Sequence, residues 1–145
     1  MNTRQAKAPD PIPFGREAFQ DQPGTTVRWL GGAGALVNCR GTVLLIDPVL
    51  EGFDMPLLVE SPLKVEDVPK ADAVLLTHSD KDHFSRDTCR DLQPVCGAYH
   101  APRYVAGLCR GLGLNGAGHD IGDRFSIGPV NITLTPADHA WQNDA

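Results

Sequence analysis

No run of lysines or arginines occurs in this chain, and thirteen basic against eighteen acidic side chains leave a net charge of -5. The basic stripe that a phosphate backbone requires is therefore missing, and nucleic acid is not an expected partner. No apolar stretch approaches the roughly 18 consecutive residues of a membrane span, and the start, Met1 to Lys7, lacks the apolar core of a secretory signal. No transmembrane segment is expected, and the expected location is cytoplasmic. Cys39, Cys89, Cys96 and Cys109 show no close pairing, so buried or half-buried thiols are expected in place of a disulfide framework.

What remains is an ordinary soluble composition over 145 residues, enough for one domain. Fifteen glycines and twelve prolines make up just under a fifth of the chain, which implies many turns between short elements. Residues 1–24 carry Pro9, Pro11, Pro13 and Pro23 with little apolar periodicity, as an irregular arm with one helical turn near Arg16 to Gln20. From Thr25 an alternating segment, a break at Gly31 to Gly34 and a second segment to Cys39 predict a hairpin or meander. Thr42 to Ile46 is a short β-branched and leucine run, expected to be a strand buried on both faces and stopped by Asp47-Pro48.

Residues 49–70 are punctuated by Pro56, Pro62 and Pro69 as in a long surface loop. A strand is predicted over Ala73 to Thr77, and a helix, capped by Asp82 or Ser85, to about Leu92. A strand over Val95 to Tyr99, a helix over Pro102 to Gly111, a glycine-rich loop over Leu112 to Asp120, and strands Arg124 to Ile127 and Val130 to Thr135 complete an α/β rhythm.

The chemistry concentrates where the strand after Asp72 ends: His78, Asp80, Asp82 and His83 pack four metal-competent side chains into six residues. A strand carrying His78 and Asp80 on one face can turn and aim Asp82 and His83 back at the same point. Imidazole nitrogen and carboxylate oxygen suit a divalent transition ion, and His139, following another strand, could arrive as an outside ligand. His78, Asp80 and His139 would share one ion, and Asp82 and His83 a second. Such ions lower the pKa of a bound water toward neutrality, so hydrolysis is the chemistry that follows.

Asp47 is open between a carboxylate that orients a ligand and a plain turn residue before proline. Gly31 to Gly34 lack the lysine and following helix of a phosphate loop, so a turn needing positive φ is expected. His100, before Ala-Pro, and His119, in the glycine-rich segment, are expected to be solvated. Asp138 could orient His139 or face solvent, and Trp141 could wall a pocket or be buried structurally.

The stretch Leu-Leu-Thr-His78-Ser-Asp80-Lys-Asp82-His83 resembles the His-x-His-x-Asp-His signature of the metallo-β-lactamase superfamily. The likeness extends to the glycine turn after Trp29-Leu30, to Leu45-Ile46-Asp47-Pro48, and to Thr135-Pro136-Ala137-Asp138-His139. Within the superfamily it is most similar to the branch of L-ascorbate-6-phosphate lactonase and N-acyl phosphatidylethanolamine phospholipase D. The resemblance implies a four-layered αβ/βα sandwich over residues 25–145, with its N-terminal half to two-thirds present and the C-terminus incomplete. It implies a metal-dependent hydrolase of a lactone, phosphodiester or related ester, with His78, Asp80 and His139 on the first metal and Asp82 and His83 on the second. Asp82 would also hold or activate the nucleophilic water.

Two departures from the family pattern bear on function. Asp80 stands where the motif has its second histidine, and a harder oxygen ligand shifts the metal from zinc toward manganese or iron. The bridging aspartate and last histidine of the family's second half have no counterpart. A truncated, non-catalytic metal-binding or interaction module is therefore the alternative, and a homo-oligomer covering the incomplete sandwich is an expected partner arrangement.

Overall fold

The computed structural model describes residues 9–139. Thr25–Gly31 (β1) and Gly34–Cys39 (β2) form an antiparallel hairpin, and β2 pairs in the same sense with Thr42–Ile46 (β3). From there the sheet turns parallel: β3 pairs with Ala73–Leu75 (β4), β4 with Tyr99–Pro102 (β5), and β5 with Gly116–His119 (β6). Helices Arg86–Asp91 (α1) and Arg103–Gly111 (α2) make the crossovers between the parallel strands. Arg124–Ile127 (β7) and Val130–Thr133 (β8) form a separate antiparallel hairpin.

Alternation along the central strands explains why both faces of the sheet are covered. Val43, Leu45, Val74, Tyr99 and Ala101 join one core with the helices, together with Leu30, Leu92, Val105 and Ala106. Leu44 and Ala73 point the other way and pack with Ile127, against which Leu75, Phe125, Val130 and Ile132 are partly buried. The β7–β8 hairpin thus covers part of the second face. Register extends that face to β1, where Val27 pairs with Val37 and Trp29 with Ala35, and there Val27 and Trp29 stay 69% and 58% exposed.

The described part of the arm before β1 is fixed to the sheet around the expected helical turn. Its short 3-10 turn, Arg16–Phe19, buries Ala18 and Phe19 in the main core. Asn38, fully buried in β2, donates to the carbonyls of Ala18 and Gln20 at 2.9 and 2.8 Å and accepts from the Gly41 amide at 2.7 Å.

Several elements differ from the sequence expectation, the last strand among them, which ends at Thr133 and not at Thr135. The strand expected from Val95 starts at Tyr99, because Gln93–Val95 continues α1 as a 3-10 turn with proline in its first positions and Cys96 makes only an isolated bridge to Ala71. The segment expected to be loop contains β6, whose glycines serve close packing: a Cβ at Gly116 would meet the Ala106 carbonyl at 2.6 Å, and one at Gly118 the Arg103 Cα at 3.1 Å. Glycine in a strand here marks backbone contact with α2. The hairpin turn is as expected, with φ of 94° at Gly31 and 54° at Gly32.

The four cysteines are free. Burial raises the Cys89, Cys96 and Cys109 thiols, the last to about 11, so they remain protonated near neutrality. Among the described residues no helix is long and apolar enough to cross a membrane.

Replacing Asn38 by alanine strands two carbonyls and one amide in the core. Asn38→Ala is expected to cost about 3 kcal/mol of unfolding free energy, read by urea titration, because each buried group left unpaired costs about 1–3 kcal/mol.

Candidate metal centre

The centre lies at the C-terminal ends of β3 and β4. Strand β4 stops at Leu75, two residues sooner than expected, so the acidic-histidine cluster sits on the connection to α1. That connection is held at both ends. The amides of His83 and Phe84 donate to the Asp80 carbonyl at 2.9 and 2.7 Å, closing a tight turn, and Phe84 is buried in the core. Ser85 caps α1 by accepting from the Thr88 amide at 3.1 Å, and its hydroxyl donates to the Glu51 carbonyl at 2.7 Å. Of the two caps the sequence offered, Ser85 is the one used.

Asp47 turns out to be the hub of the cluster. It is 2% exposed and adopts a left-handed φ of 43°, a conformation aspartate tolerates better than most residues. Gly34 permits the approach, since a Cβ there would meet the Asp47 carbonyl oxygen at 3.1 Å. Oδ1 of Asp47 accepts from the Thr77 amide at 2.7 Å. Oδ2 accepts from the Thr77 hydroxyl at 2.5 Å and from Nδ1 of His83 at 2.7 Å. A buried carboxylate is costly unless paired in this way, and here both oxygens are occupied. Asp47, His78 and His83 gather within ligand range, with both Asp47 oxygens already bonded to Thr77 and His83.

Among the expected ligands, His78, Asp80 and His139 converge, each offering an atom within 4.8 Å of the others. Nε2 of His78 lies 3.4 Å from Oδ2 of Asp80, and Nε2 of His139 lies 3.6 Å from the same oxygen. Two ligands each about 2.1 Å from a tetrahedral ion stand about 3.4 Å apart, so these separations fit a shared divalent cation. His139 arrives on the segment that leaves β8, far from the cluster in sequence. Asp82 projects outward with its side chain 76% exposed, and its Oδ2 lies 3.6 Å from Nε2 of His83. Among the described residues no third donor joins that pair in a ligand group. Asp138 is exposed, and Trp141 lies outside the described residues.

His100 and His119, expected to be solvated, are instead half-buried and paired. Nδ1 of His100 lies 2.9 Å from Nε2 of His119, and Phe125 stacks on both rings, with centroids 4.6 and 3.9 Å away. The sequence hid this because the partners are adjacent only through the β5–β6 ladder, two residues out of register and so on one face.

These features gather candidate ligands for a divalent ion at strand ends, and the chain belongs to the β-lactamase superfamily domain family, whose pattern matches residues 42–145. A metal-dependent hydrolase of Nitratidesulfovibrio vulgaris (strain DP4) is 32% identical over 124 residues, covering 82% of this chain and 50% of that protein. The chain spans about half the length of the curated relatives it matches. Igni18, a metallo hydrolase from the archaeon Ignicoccus hospitalis, shares the fold at a TM-score of 0.66 and 24% identity, over 83% of this chain and 52% of that one. CmlA, a diiron β-hydroxylase from Streptomyces venezuelae, shares it at 0.66 and 23% identity, over 79% of this chain and 24% of that one. The expected family and α/β fold class are thereby borne out.

The histidine pair gives a pH dependence. Burial first, and the neighbouring His119 second, lower the pKa of His100 below its ordinary 6.5. Its contribution to stability is present above that value and lost as pH falls through the lower folded value. Arg103 and Asp120, an exposed ion pair beside His119, leave the sign unchanged. The urea midpoint should fall between about pH 7 and pH 5, and His100→Phe should flatten that fall.

Proposed function

We propose that this chain carries the metal centre of a hydrolase that opens a lactone, phosphodiester or related ester. Its observational support is the convergence of His78, Asp80 and His139 from separate segments onto one point. In this reading His78, Asp80 and His139 hold the first divalent ion, and Asp82 and His83 hold a second. The bound ions supply Lewis acidity to the substrate oxygen and acidity to a water. Asp82, open to solvent beside His83, accepts the proton of the attacking water and orients it. Asp80 puts a carboxylate in the first site, which favours manganese or iron over an all-imidazole zinc site. His139 closes that site from the far end of the fold.

The ester class comes from the resemblance to the lactonase and phospholipase D branch, while the relatives matched here are named for metal-dependent hydrolysis alone. Self-association belongs to the same reading. Val27 and Trp29 continue the second sheet face past the cover of β7–β8, and a second copy would bury them. Sedimentation that finds only monomer would remove that part.

A second reading is favoured by one observation: Asp82 and His83 gather no third donor among the described residues. It is a metal-binding module without turnover. Screening lactones and phosphodiesters with added manganese, iron or zinc separates the two. Turnover that His78→Ala abolishes and Asp82→Asn lowers by about 100-fold or more supports the hydrolase. Metal binding with no turnover on any ester supports the module.

A further inference from the structure

We propose that Thr77 is a positioning residue: its hydroxyl relays the Asp47 carboxylate to His78, so that one buried acid sets the ring orientation and tautomer of both His78 and His83. The inference rests on the metal-centre reading for its purpose, but not for its evidence, which is a count of protons.

A carboxylate oxygen such as Oδ2 of Asp47 only accepts. The Thr77 hydroxyl, 2.5 Å away, must therefore donate its single proton to it. Toward Nδ1 of His78, 2.8 Å from the same hydroxyl, Thr77 can then only accept. Nδ1 of His78 must carry a proton, and in the neutral ring Nε2 then keeps its lone pair. The same count applied to His83, whose Nδ1 lies 2.7 Å from Oδ2 of Asp47, leaves the Nε2 of its neutral ring unprotonated as well. Both lone pairs end up where the acidic partners are: Nε2 of His78 is 3.4 Å from Asp80 and Nε2 of His83 is 3.6 Å from Asp82. The two rings, 3.9 Å apart between centroids, are held as a preset pair of donors aimed at two different carboxylates.

The relay is asymmetric. His83 is bonded to Asp47 directly, whereas His78 depends on a hydroxyl contributed by its own neighbour in the chain. Removing that hydroxyl should release His78 and leave His83 as an internal control. The Thr77 amide keeps its bond to Oδ1 of Asp47 in any side-chain variant.

The test is nitrogen-15 spectroscopy of histidine-labelled full chain, freed of metal by chelation and held at alkaline pH where the rings are neutral. The native protein should show both His78 and His83 protonated at Nδ1. Thr77→Val should move His78 to the Nε2-protonated form with His83 unchanged, and Thr77→Ser should restore the native pattern. Zinc titration of the same samples should show binding weakened at least about tenfold by Thr77→Val, in line with the loss of a group that orients a ligand, and little changed by Thr77→Ser. A native His78 protonated at Nε2, or a Thr77→Val protein whose His78 stays protonated at Nδ1, overturns the relay even if zinc binds. The native spectrum alone decides the matter should Thr77→Val fail to fold. The two readings fail separately: native protein that binds no zinc, manganese or iron ends the metal-centre reading and leaves the tautomer result standing.

Discussion

The buried carboxylate of Asp47 is the constraint on which the rest of the centre depends. It stands at the end of β3 in a left-handed conformation, under the turn that Gly34 brings close, and its burial obliges it to collect donors. The donors available are Thr77 and His83, which belong to the loop that follows β4. A charge that must be neutralised on one strand therefore fixes the path of the chain leaving the next. The Asp47 amide, donating to the Leu75 carbonyl at 2.9 Å, locks the two strand ends together at the same place.

That anchoring lets a short loop present ligands without a long strand beneath it. Once His83 is tied to Asp47 and the turn is closed on the Asp80 carbonyl, the side chains of Asp80 and Asp82 diverge, one toward His78 and His139, the other toward solvent beside His83. The first position gathers three donors and the second only two among the described residues.

Much of this was legible in the sequence because it is local. The short apolar runs at Thr42 to Ile46 and Ala73 to Leu75, the glycine turn and the spacing of His78 to His83 each carry their signal within a few residues. What escaped was non-local. Gly116 and Gly118 read as loop because a helix backbone pressing on a strand leaves the same composition as a flexible turn. The His100–His119–Phe125 stack needs three strands to bring its rings together, and no periodicity announces it. Asp47 was visible only as an even choice between turn and ligand support, because its partners lie thirty or more residues away.

A strand-end metal centre organised from Asp47 would hold its ion between His78, Asp80 and His139. Anomalous diffraction from crystals grown with manganese or zinc tests it most directly. The account predicts a peak bounded by Nε2 of His78, Oδ2 of Asp80 and Nε2 of His139, with Asp47 outside the coordination sphere and still bonded to Thr77 and His83. A peak coordinated by Asp47 itself, or no peak at the cluster in metal-saturated crystals, would contradict it.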